Sequence, residues 1–476
     1  MAQVFRSALI AALLLASAAC AQKVKYVTPV AEVAPAFKEN ADWKAAQPSD
    51  AELRGNWWEL FGDADLSALE DRVDVSNQNL KAAEAQFAQA RAILRGTRSN
   101  LYPTVTASPS IVRERQSPNR AIGSAIRGSY GDFLLPADVS YEADVWGRIR
   151  NTVEASRVTA QATAADLETA RLSVHAELAV DYFSLRGIDR EKELLDSAVA
   201  AFERALELTQ NRFRGGIVSE ADVALAETQL ETTRAQAVDL GVERAAFEHA
   251  IAVLVGQPPS TFALVPATLR EAPPDVPIGV PSALLERRPD IAAAERRVAA
   301  ANAQVGVTTA AFYPILTLSG TGGFEGSSLA NWLAGASNFW TIGPTALITI
   351  FDAGRRRSAI DQARAAYAEA SAVYRQSILS AFSEVEDQLA ALRVLDGEAT
   401  IQKRAVDASQ RSLTQATNRY RGGLATYLEV TSAQSVALDN ERVAVELLTR
   451  RMTASVLLMK GLGGGWDASS LPQLPR

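Results

Sequence analysis

The chain has 476 residues, 48% of them hydrophobic and 22% charged, so it is neither disordered nor collagen-like and is long enough for about three domains. A net charge of −7 leaves no basic footprint, so no nucleic acid is expected as a partner. One cysteine, Cys20, and two histidines, His175 and His249, cannot supply an internal disulfide, a Cys/His zinc site or a His-based triad; no cofactor or metal is expected.

The chain opens with one positive residue, Arg6, an apolar run from Ala8 to Leu15, and the small residues Ala16, Ser17, Ala18 and Ala19 before Cys20. Residues 1–19 therefore read as an export signal, the apolar run being too short for a bilayer that takes about 20 residues to span. A lone cysteine after small residues in an exported chain resembles the lipobox of bacterial lipoproteins, with Ser17 where that motif usually has Leu. The resemblance implies lipidation at Cys20, and Ala21 in place of Asp implies sorting to the outer membrane. Residues 20–65 then form an N-terminal segment.

Beyond it the chain is written twice. Asn211-Arg212-Phe213-Arg214-Gly215-Gly216 recurs 207 positions on as Asn418-Arg419-Tyr420-Arg421-Gly422-Gly423. The same offset maps Gly147-Arg148 onto Gly354-Arg355, Glu177 onto Glu384 and Gly256 onto Gly463, while Tyr102-Pro103 maps onto Tyr313-Pro314. Self-similarity at a fixed period marks repeated structural units. The repeats are 66–256 and 286–463, separated by a Pro-rich linker at 257–285 and followed by a tail at 464–476.

In the first repeat a helix is expected from about Leu66 to Ser99. No proline interrupts 137–257, a stretch rich in helix formers, so a second helix runs from Arg148 to Arg214 and a third from about Ser219 to Val255, with Gly215-Gly216 as the stop between them. At 1.5 Å per residue the longest is about 100 Å. The two shorter helices together match its length, so they are expected to stack end to end beside it. Apolar residues at near-heptad spacing, such as Leu167, Val174, Leu178 and Leu185, fit coiled-coil packing.

Between the helices the period becomes two. Leu135, Ala137, Val139, Tyr141, Ala143 and Val145 alternate with Pro136, Asp138, Ser140, Glu142 and Asp144, and Thr104, Thr106, Ser108 and Ser110 alternate with Val105, Ala107, Pro109 and Ile111. Leu316 and Leu318 interleave with Thr317, Ser319 and Thr321, and Ile342, Ala346, Ile348 and Ile350 with Thr341, Thr345 and Thr349. Each repeat thus carries one β-hairpin, at about 103–146 and 314–352, with strands of the length and alternation of a transmembrane barrel. Four strands cannot close in lipid, because an open edge leaves backbone groups unpaired. Two copies would give a barrel filled by its own side chains; three would give twelve strands around a channel.

These marks together resemble the TolC/NodT-type outer membrane factors of tripartite RND-type efflux systems over essentially the whole mature chain. They are Trp57-Trp58-Glu59-Leu60-Phe61-Gly62-Asp63, Gln89-Ala90-Arg91-Ala92, the two Tyr-Pro strand entries, Tyr141 to Arg148, Phe351 to Arg355, and the paired Gly-Gly turns. The resemblance implies a mainly α fold with transmembrane β: duplicated units of long antiparallel helices plus a hairpin, forming a homotrimer with a twelve-stranded barrel continuous with a periplasmic α-helical barrel. It implies a lipid-anchored outer membrane duct, largely periplasmic, with a periplasmic adaptor (membrane fusion) protein and an inner membrane RND-type pump as partners. An export duct for a secreted protein and a non-conducting periplasmic coiled-coil lipoprotein are the alternatives.

At the inner end the resemblance places a gate at Asp222, Tyr420 and Glu429, with Tyr420 donating to Asp222 and with carboxylates forming rings that select cations. Ala425 stands where the family has Arg, and Ser432 where it has a second acid. The exposed turns, Arg214, Gly215, Gly216, Arg421, Gly422 and Gly423, are the expected adaptor contact. No GxxxxGK[ST], GxSxG or HExxH motif occurs, so no enzyme is expected and the energy for transport has to come from a partner.

Overall fold

The structure is a computed structural model that describes residues 26–30, 36–40, 55–115, 117, 128–269, 272–274, 276 and 284–475. The expected signal at 1–19 and Cys20 lie outside the described residues. Helix α1 spans Ala64–Ser76 and α2 Gln78–Ser99; β1 is Thr104–Ala107, β2 Ser110–Arg115 and β3 Ser129–Ala143. Then come α3 (Arg148–Arg214) and α4 (Glu220–Leu254). The second repeat supplies α5 (Pro289–Ala310), β4 (Ile315–Gly326), β5 (Asn338–Leu347), α6 (Arg355–Arg421) and α7 (Tyr427–Gly461). Both long helices have 67 residues, or about 100 Å. As expected, α2 and α4 both pack along α3.

Three expectations of the sequence are corrected. The helix expected from Leu66 to Ser99 breaks at Asn77, whose extended backbone ends α1 and whose carboxamide oxygen accepts from Leu80 N at 3.0 Å to start α2. Its amide donates to the Leu254 carbonyl at 2.8 Å, so the buried Asn77 also fixes the end of α4. The first strand is split between Ala107 and Ser110, where Pro109 cannot donate to a ladder, and β5 ends at Leu347, short of Ile350.

The strands form one antiparallel sheet in which β1 and β2 pair with β3, β3 with β4, and β4 with β5. Register sorts the side chains. Thr106 faces Asp138 and Asp138 faces Thr321, Ser140 faces Ser319, and Glu142 faces Thr317, which in turn faces Thr345. On the other face Val105 meets Val139, Tyr141 meets Leu318, and Gly320 meets Ile342. One face is thus polar, with Thr321 donating to Asp138 at 2.6 Å, and the other apolar and open: Trp340 is 74% exposed and Ile342 68%. The β3–β4 pairing joins the two repeats, and the outer edges of β1/β2 and β5 have no strand partner among the described residues.

The duplicated motifs are the hinges between sheet and helices. Asp144 accepts from the amides of Ile149 and Arg150, both at 2.9 Å, satisfying the first turn of α3, while Glu142 takes Arg148 in a two-point bond at 2.9 and 2.7 Å. Asp352 repeats this for α6 through the amides of Gly354 and Arg356. Trp146 stacks on Tyr313 with centroids 4.7 Å apart and donates to the Pro314 carbonyl at 2.8 Å, so the Trp-Gly-Arg and Tyr-Pro motifs meet. Gly256 and Gly463, equivalent in the repeats, have φ of 69° and 93°; a Cβ there would collide with the carbonyls of Ser76 and Arg287.

The main core lies at the waist, where Trp57, Trp58 and Phe61 pack against Tyr182 and Phe183 of α3, Ile251 of α4 and Met459 of α7. Each such fully buried side chain contributes about 1.5–3 kcal/mol. Beneath it His175 Nδ1 lies 2.6 Å from Glu70 Oε2, both buried, with the imidazole stacked on Trp58 at 4.5 Å.

Candidate gate and docking surface at the helical tips

The sheet stands at one end of the long helices and the Gly-Gly turns at the other. Each turn closes with a pair of hydrogen bonds that satisfy helix C-terminal carbonyls: Ile217 N to Arg212 O (2.9 Å) with Gly216 N to Phe213 O (2.9 Å), and Leu424 N to Arg419 O (2.8 Å) with Gly423 N to Tyr420 O (3.0 Å). The left-handed position falls on Gly216 (φ 68°) and Gly423 (φ 73°), which explains the second glycine of each pair. Arg214, Gly215, Gly216, Arg421, Gly422 and Gly423 are all exposed. So are Ile217 (72%) and Leu424 (74%), an equivalent pair that the sequence reading did not single out although the repeat offset maps one onto the other.

Tyr420 is buried at the tip with Ala226, Tyr427 and Val430, its ring 5.3 Å from that of Tyr427. Burial pushes the Tyr427 hydroxyl up to about 12, so it remains a neutral donor.

Within the single chain Tyr420 does not donate to Asp222. The Tyr420 hydroxyl lies 3.5 Å from Thr209 Oγ1. Asp222 serves its own helix: Ser219 donates to Asp222 Oδ2 from its amide (3.0 Å) and hydroxyl (2.9 Å), and the Asp222 amide returns a bond to Ser219 Oγ at 3.3 Å. This capping box satisfies orphan amides at the positive end of α4, a local use of the carboxylate that outweighs a distant one.

Two equivalent arginines of the turns, Arg212 and Arg419, hold the tips. The Arg212 guanidinium lies over the Tyr420 ring, 4.5 Å from its centroid, and donates to the carbonyls of Tyr420 and Arg421, both at 2.8 Å. Its repeat equivalent, Arg419, pairs with Glu429 at 3.2 Å and donates to the Leu424 carbonyl at 3.3 Å. With Ser409, Ser412, Gln415 and Ser432, Arg419 and Glu429 line a cleft of 590 Å³. Their recurrence at the same place in both repeats was the available signal. Among the described residues no group of His, Cys, Asp and Glu is arranged to hold a metal, and no helix is long and apolar enough to cross a membrane.

The family model described as outer membrane efflux protein matches residues 70–257 and 280–464. The chain is 32% identical to the outer membrane protein OprJ of Pseudomonas aeruginosa over 468 residues, covering 97% of this chain and 96% of that one. It is 30% identical to the toluene efflux pump outer membrane protein TtgF of Pseudomonas putida, covering 89% and 88% of the two chains. The fold is similar to that of the outer-membrane channel OprN, with a TM-score of 0.86 and 31% identity over 93% of this chain and 98% of that one.

Proposed function

Since this chain belongs to the outer membrane efflux protein family, we propose that it is the exit duct of a tripartite efflux system. Three copies form a passive outer membrane channel that carries small toxic compounds outward, receiving them from an inner membrane RND-type pump through a periplasmic adaptor. The observation that carries this reading is the sheet. It is apolar on one face and polar on the other, has two unpaired edges, and continues into helices of about 100 Å. Copies joined edge to edge place the apolar face against lipid and the polar face around water, and the helices prolong that lumen into the periplasm.

The helical tips are then the inner aperture. Asp222, Tyr420 and Glu429 belong to its gate, and Arg214, Gly215, Gly216, Arg421, Gly422 and Gly423, with Ile217 and Leu424 beside them, meet the adaptor. Support for the docking role is the exposure of two large aliphatic side chains at equivalent positions of the two turns. Cys20 anchors the chain in outer membrane lipid. Deleting the gene from its host should raise sensitivity to small apolar toxicants several-fold, with the wild-type gene restoring resistance. Unchanged sensitivity to a broad panel of such compounds, with the host's other outer membrane ducts also removed, would overturn the reading.

A further inference from the structure

We propose that Arg419 cancels the charge of Glu429 at the tip, so that the inner mouth of the duct carries a net positive field and passes anions at least as readily as cations. This rests on the duct reading above and names a charge preference for it. The two turns with the first helical turn that follows each carry Arg212, Arg214, Glu220 and Asp222 in one repeat, and Arg419, Arg421 and Glu429 in the other. Four guanidinium groups thus face three carboxylates per chain, since the position equivalent to Glu220 is the buried Tyr427.

Two of the three carboxylates are engaged within the chain. Asp222 is folded back onto Ser219 at the positive end of α4, and Glu429 is 3.2 Å from Arg419. Glu220 lies in the first turn of α4, where the helix dipole opposes its charge. A carboxylate and a guanidinium in contact act on a distant ion as a dipole, and the field of the pair falls off faster than that of a lone charge. At physiological salt, with screening over about 8 Å, little of it reaches mid-lumen. The pair is half exposed and adds little stability; its effect is on charge. Arg214 and Arg421 are exposed, form no salt bridge among the described residues, and are repeated at equivalent positions. Ser432 adds a hydroxyl, not a charge, to the cleft that Arg419 and Glu429 line.

The repeats use the same arginine differently. Arg212 is committed to the ring of Tyr420 and two carbonyls and makes no pair with Asp222, which caps its helix instead. In the second repeat Thr426 makes no side-chain capping bond, Glu429 is left outside a capping box, and Arg419 takes it. Arg419 is therefore the residue that sets the sign of the field at the mouth.

The test is the reversal potential of the full-length protein in planar bilayers under a potassium chloride gradient. The wild type is expected to reverse near zero or on the chloride side. Arg419→Ala frees the Glu429 carboxylate and should raise the potassium-to-chloride permeability ratio several-fold, and Arg419→Gln, which keeps most of the bulk, should do the same. Adding Glu429→Gln to either should bring the ratio back to the wild-type side, and Arg419→Lys should leave it unchanged. A wild type that reverses near the potassium potential, loses that preference in Glu429→Gln and is indifferent to Arg419→Ala overturns the proposal while leaving the duct intact. Protein that inserts as a stable oligomer and passes no current overturns the duct reading, and the charge preference with it.

Discussion

Arg212 of the first tip lies over the ring of Tyr420 of the second, its guanidinium carbon 4.5 Å from the centroid, and donates to the carbonyls of Tyr420 and Arg421. One side chain thereby ties the C-terminal end of α3 to that of α6 within a single chain. A planar cation is needed for this, because it must stack and donate in two directions at once.

Removing that tie should loosen the aperture. Arg212→Ala is expected to raise single-channel conductance and to speed protease cleavage at 211–218, and Arg212→Lys should restore little, since an ammonium cannot reproduce the fork. Unchanged conductance and cleavage in both variants would place the closure elsewhere.

The tips should also fail as a docking surface when enlarged. A Gly216→Trp, Gly423→Trp double variant places bulk on left-handed positions that tolerate a side chain poorly, while leaving the sheet untouched. Efflux should fall to the level of the deletion, with normal oligomers in the outer membrane. Normal efflux would count decisively against adaptor contact at these turns.

The waist carries a pH signature. Burial pushes the Glu70 carboxyl up to about 7, partly offset by His175, with Asp74 and Asp71 nearby raising it further and Arg171 paired to Asp74 at 3.1 Å. A carboxyl whose folded value lies above its unfolded value near 4.5 is favoured in the protonated form. Its contribution is therefore best below the unfolded value and is lost as pH rises through about 7, by up to about 3 kcal/mol. The melting temperature in detergent should fall between pH 5 and pH 8, and Glu70→Gln should flatten that slope. A wild type that gains stability across this range would contradict the sign.

Cys20→Ala should abolish incorporation of labelled fatty acid, while the duct still assembles through its sheet. Labelled lipid absent from the wild type would remove the anchor from the account.

The punctuated parts of this fold were legible in the sequence. Gly147 and Gly215-Gly216 bound α3 at Arg148 and Arg214, and alternation from Leu135 to Ala143 gave the two faces of β3. The break at Asn77 was not, because it depends on a carbonyl at Leu254, 177 residues away, that no local pattern announces. Nor was the local use of Asp222, whose carboxylate caps α4 by bonding back to Ser219 three positions before it. Arg212 and Arg419 were visible as repeats, yet one stacks on an aromatic ring and the other pairs with an acid, a divergence that only side-chain placement reveals.

The proposed duct requires that several copies close the two open edges of the sheet between them. Native mass spectrometry of the full-length protein extracted from outer membranes counts those copies directly. The account predicts three chains, enough strands for a water-filled lumen. A stable particle of one chain, which leaves the edges unpaired, or of two, whose smaller barrel would be filled by its own side chains, would contradict it.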